Sequence, residues 1–89
     1  MDNKILMNVV TFQSTHHAIA GEKHIKEEGI TIKTIPTPRE ITASCGLSIK
    51  FELEDLERIQ AIIAQNQLSI EGIYQIQLEN DQKIALRLV

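Results

Sequence analysis

The sequence has one cysteine, two prolines, no tryptophan and only 3% aromatic residues. Each scarcity excludes something. A single cysteine closes no internal disulfide, which points to a reducing, cytoplasmic setting. Without a second cysteine or paired ligand spacing there is no zinc signature, so no metal is expected. Phe12, Phe51 and Tyr74 are too few to form a stacking platform for single-stranded nucleic acid. A formal net charge of −3 gives no electrostatic footprint for a phosphate backbone or an anionic membrane. No apolar run approaches the ~20 residues of a membrane span. Met1-Asp2-Asn3-Lys4 opens straight into a strand pattern, so no signal peptide is expected. Glycine-rich phosphate loops, G-x-S-x-G and H-E-x-x-H are all missing, and no cofactor is expected.

What is present reads as one domain spanning residues 1–89. The chain is 43% hydrophobic and 24% charged, ordinary values for a globular chain, and is long enough for one two-layer core. Lys4 to Phe12 is almost continuously apolar and β-prone, the pattern of a strand covered on both faces. Ser14 or Thr15 caps a helix running to Glu28, which Gly29 ends. Its inner face is read as Ala18, Ile19 and Ile25, with Glu22–Lys26 and Lys23–Glu27 pairing on the solvent side. Ile30 to Ile35 reads as a second strand and Leu47 to Phe51 as a third. Glu52 to Glu57 puts acids where a helix N-terminus favours them. Leu56, Ile59, Ile62 and Ile63 then trace one face of a helix ending near Asn66. Ile70 to Leu78 alternates, with Tyr74, Ile76 and Leu78 on one side and Gln75, Gln77 and Glu79 on the other. Asn80-Asp81 marks a turn into a last strand that pairs back as a hairpin.

The expected fold is therefore α+β, a two-layer sandwich with a ferredoxin-like βαββαβ order and an additional C-terminal strand. The two helices should lie on one face of the sheet. A two-layer sandwich with a different strand order fits the same local pattern.

Ile35-Pro36-Thr37-Pro38-Arg39-Glu40-Ile41-Thr42-Ala43-Ser44-Cys45-Gly46-Leu47 is the most chemically distinctive stretch. Pro36 and Pro38 fix two φ angles. Thr37 with Glu40 reads as a capping box, Pro38 as the first residue of a short helix and Gly46 as its left-handed stop. Cys45 then falls at the last turn. Pro38, Ile41 and Cys45 would share an apolar stripe, and a helix C-terminus disfavours a thiolate, so a packing role stands beside a reactive one. Arg39 reads either as a solvated arginine or as an anion clamp beside free N–H groups. Ser44 could donate a hydrogen bond to the Cys45 sulfur or face solvent. His16 and His17 open the first helix at a strand's carboxyl end, where α/β sheets tend to place sites.

Phe12-Gln13-Ser14-Thr15-His16, Ala18-Ile19 and Glu22-Lys23 form the first half of a pattern. Ile35 to Ile41 with Ser44-Cys45-Gly46-Leu47 forms the second. Together they resemble the small bacterial domains described as putative selenium/sulfur carrier protein-like, from near residue 5 through Phe51, with weaker agreement at Glu71-Gly72-Ile73-Tyr74. The resemblance implies a small cytoplasmic carrier that holds a persulfide on Cys45, with sulfur or selenium donor and acceptor proteins as partners. Thr37, Arg39, Ser44, Gly46 and His16 are its candidate binding or orienting residues. A regulatory or interaction module, in which the Pro36–Gly46 segment binds an anion or partner and Cys45 is structural, is the alternative. An enzyme using Cys45 with His16 ranks last, because no third group is placed to orient the histidine. The apolar first strand and the final edge Ile84–Val89, which carries few charges, further predict a homodimer through the sheet face or that edge.

Overall fold

A computed structural model describes residues 4–41 and 46–88. Its elements follow in the order β1 (Lys4–Phe12), α1 (Thr15–Glu27), β2 (Lys33–Pro36), β3 (Leu47–Phe51), α2 (Leu56–Gln65), β4 (Ile70–Glu79) and β5 (Gln82–Arg87), with a 3-10 turn at Leu53–Asp55 leading into α2. The strands form one five-stranded sheet in the order β2-β3-β1-β4-β5, every neighbouring pair antiparallel. The chain is thus α+β, with one antiparallel sheet and two helices. β3 lies between β1 and β2, and β1 lies between β3 and β4, so each strand–helix–strand unit is split by another strand.

The apolar run of β1 explains why that strand is central. Val10 and Phe12 pack with Ile49, Phe51 and Ile73 of the neighbouring strands against Ala18 and Ile25 of α1 and Ile59, Ile62 and Ile63 of α2. Both helices therefore cover the same face. Val9 and Ile76 point the other way. They are equally buried, yet lie outside the helix-packed cluster. Burial on both faces is what a strand without polar alternation requires.

α1 begins where Ser14 Oγ accepts the His17 N–H at 3.2 Å, satisfying one of the donors that a helix start leaves open. Its inner stripe is Ala18, Gly21 and Ile25. Ile19, read from sequence as inward, is 59% exposed. Gly21 takes that place because the Phe12 ring presses on the helix there: a Cβ at residue 21 would come within 2.7 Å of the ring. Glu22 pairs with Lys26 at 3.8 Å and accepts the Thr34 hydroxyl of β2. Glu27 meets His24 at 3.6 Å, not Lys23 as expected. α2 buries Ile59, Ile62 and Ile63 on the stripe its spacing predicts.

Three expectations need correction. β2 begins at Lys33, later than Ile30, although Ile30 is buried ahead of it. The described part of the Pro38–Gly46 segment, residues 39–41, is a turn closed by Ile41 N–H to Pro38 O at 3.1 Å, not a capped helix. The Thr37 hydroxyl that a cap would need is turned to Ser48 instead. Gly46 is not left-handed either: Gly29 is the glycine with positive φ among the described residues. The hairpin turn is as read, with Asn80 and Asp81 at φ 51° and 65°, the conformation that Asn and Asp tolerate best after glycine.

Candidate functional site

Antiparallel pairing brings the two distinctive segments of the sequence to one end of the sheet. β1 ends there and runs into α1, β2 ends there, and β3 and β4 begin there. The first segment is tied to the start of β4. Gln13 donates its N–H to Ser69 O at 3.2 Å, and the Ser69 N–H is donated to His17 Nδ1 at 3.3 Å. His17 is therefore engaged with the backbone. His16 is exposed, its ring edge-on to His17 with centroids 6.2 Å apart.

The second segment is pinned at its root. Thr37 donates its N–H to Gly46 O at 3.0 Å, extending the β2–β3 ladder one step beyond the Pro36–Leu47 pair. The Thr37 hydroxyl does not act as a helix cap; it meets Ser48 Oγ at 2.8 Å. Ser48 Oγ in turn meets Thr11 Oγ1 at 3.0 Å. Three hydroxyls thus run from β1 across β3 to the base of the 38–45 segment. Thr11 and Ser48 are almost wholly buried, where an unpaired hydroxyl would cost several kcal/mol on apolar-transfer scales, so their mutual bonding is what makes the arrangement stable. A Cβ on Gly46 would sit 3.4 Å from Thr37 Oγ1, which leaves the glycine close against this chain of hydroxyls.

Of the candidate residues, Thr37 and Gly46 are brought together, and Arg39 stands exposed on the turn that follows Thr37. His16 lies at the same end of the sheet on the other segment. Cys45 and Ser44 lie outside the described residues. Lys50 is exposed beside Lys33, on the side of the sheet opposite the helices. Thr11 and Ser48 had no signal in the sequence, since their contact joins positions 37 apart and becomes visible only once the strand register is known. Among the described residues, no three His, Cys, Asp or Glu side chains gather as a metal site, and no helix is long and apolar enough to cross a membrane.

A family model described as "Putative Se/S carrier protein-like" matches residues 7–75. The chain belongs to this family. The carrier-like match spans both segments that meet at the end of the sheet and closes within β4, leaving β5 outside it. Neither the curated proteins nor the solved structures offer a match to the chain.

Proposed function

We propose that the protein is a small cytoplasmic carrier or delivery domain for sulfur or selenium, with Cys45 as the carrying residue. Family membership supports the class of function, and the convergence of two matched segments at one end of the sheet supports the location. The split strand order favours reading the scaffold as a ferredoxin-like plan extended by β5.

In the carrier reaction the Cys45 thiolate attacks the terminal sulfur of a donor persulfide. A new S–S bond forms as the donor's S–S bond breaks, and the donor leaves as a thiolate. Electrons and atoms balance without an external oxidant. Delivery repeats the step with Cys45 as the leaving thiolate and an acceptor thiolate as the attacker. Selenium in place of the terminal sulfur follows the same course. Arg39, His16 and Ser44 are the candidates to stabilise the anionic sulfur, because a thiolate in a partly dry setting needs counter-charge or hydrogen-bond donors. The hydroxyl chain Thr37–Ser48–Thr11 fixes the base from which the Cys45 segment departs.

Incubation with a low-molecular-weight persulfide donor, read by intact mass, tests this. The wild-type chain should gain one sulfur atom, reversibly by thiol treatment, and Cys45→Ser should remain folded and unlabelled. A folded wild-type protein that neither gains sulfur nor reacts with an alkylating reagent would remove Cys45 from the mechanism. We also infer a homodimer formed along β5, an edge strand on which Leu86 is 42% exposed, with Leu88 just beyond it 37% exposed.

A further inference from the structure

The strand register sorts the charges of this chain by face. Lys33 pairs with Lys50, Lys50 with Val9, Val9 with Tyr74 and Tyr74 with Arg87, a single row crossing all five strands on the side that neither described helix covers. Lys4 and Lys83, both paired with Leu78, share that side. The ladder therefore carries five of the chain's nine Lys and Arg residues on this face. No Asp or Glu in the ladder registers joins them, although the chain has twelve. Among the described residues, no carboxylate lies within ion-pair distance of Lys4, Lys33, Lys50 or Lys83. An acidic chain has put a basic surface on one side of its sheet.

We propose that this helix-free face is a docking surface for an acidic protein partner. Its middle, formed by Met7, Tyr74 and Leu78 over buried Val9 and Ile76, offers a half-buried apolar strip, and the lysines flank it. An apolar centre bordered by polar groups is the general layout of a protein interface, and here the border is basic. A nucleic-acid strand fits less well, because Tyr74 is the one aromatic ring on the face and stacking would have a single support. A second copy fits less well too, since face-to-face pairing would oppose like charges. Nor is the lysine pair a closed anion site: the shallow recess beside it, about 120 Å³, is also lined by Glu52. The docking surface does not depend on Cys45 carrying sulfur, and either reading can fail alone.

The test uses the full chain, ¹⁵N-labelled, titrated with a synthetic acidic peptide of interspersed Glu, Asp and Leu. Amide shifts should concentrate at Lys33, Lys50, Val9 and Tyr74, spare the solvent sides of α1 and α2, and shrink as salt rises. Lys33→Glu with Lys50→Glu should weaken binding about tenfold or more, and the milder Lys33→Gln with Lys50→Gln should weaken it in the same direction. Lys23→Glu with Lys26→Glu on α1 changes net charge equally and should have little effect. Equal losses from both charge-reversal pairs, shifts mapped to the helices, or no binding at low salt would overturn the proposal. So would tighter binding of single-stranded oligouridine, or concentration-dependent shifts of the same amides without peptide.

Discussion

Ser48 has no exposed surface, and its single hydroxyl joins Thr11 to Thr37. Removing it strands the buried Thr11 hydroxyl, whose desolvation is then uncompensated. Ser48→Ala should therefore destabilise the fold by about 1–3 kcal/mol in urea titrations. Thr11→Val combined with Ser48→Ala should cost less than the two single changes summed, because the orphaned partner is gone as well. Hydrogen exchange gives a second reading: losing the Ser48 bond should speed exchange of the Thr37 amide while leaving Val10 protected. At this scale the sequence was legible where side-chain chemistry acts locally. The Ser14 cap and the Asn80-Asp81 turn were read correctly because each depends on residues a few positions away. Thr37 was misread because its choice between capping Glu40 and bonding Ser48 is settled by a distant strand. Ile19 was misread because counting apolar residues cannot see that Phe12 requires a glycine at position 21.

Among the elements, β2 and β3 carry a cost in plain view. Lys33 and Lys50 stand directly opposite one another, and like charges so placed weaken a strand pair. Lys50→Thr should raise stability by roughly 0.2–1 kcal/mol, whereas Lys83→Thr, opposite Leu78, should do so less. Urea midpoints of the two variants measure the difference. A variant that gains stability while losing affinity for an acidic peptide would mark the pair as kept for binding. The bounds of β1 and β3 and the buried stripe of α2 follow from periodicity alone, since each is long or strongly patterned. The same reading expected Tyr74, Ile76 and Leu78 to share a side, and they do. It could not say that this side lacks a helix, because that depends on which strand faces which.

At the scale of the whole molecule, the helices pack over one side of β2, β3, β1 and the first part of β4, leaving β5 as an edge. Ile5 and Leu86, which the register sets toward the helix side of the sheet, are 52% and 42% exposed there. Sedimentation at high micromolar concentration should show a dimer, and Leu86→Lys should return it to monomer without loss of fold. A wild-type monomer under those conditions would remove the β5 interface. The pairing of Thr37 with Gly46 at the end of the sheet opposite the β4–β5 turn was out of reach from sequence. Strand order depends on contacts that local pattern does not encode.

The central position of β1 also sets a schedule. The strand is synthesised before its neighbours, which come late: the Asn8 side-chain oxygen accepts from the Gln75 side-chain amide, 67 positions along the chain. At roughly 5–20 residues per second, the run Ile5 to Phe12 spends several seconds on a growing chain with both of its edges open. Non-local pairing of this kind folds slowly and offers aggregation-prone surface meanwhile. The nascent chain should therefore depend on holdase chaperones until β4 emerges, and truncation between Phe51 and Ile70 should leave β1 half-paired and insoluble.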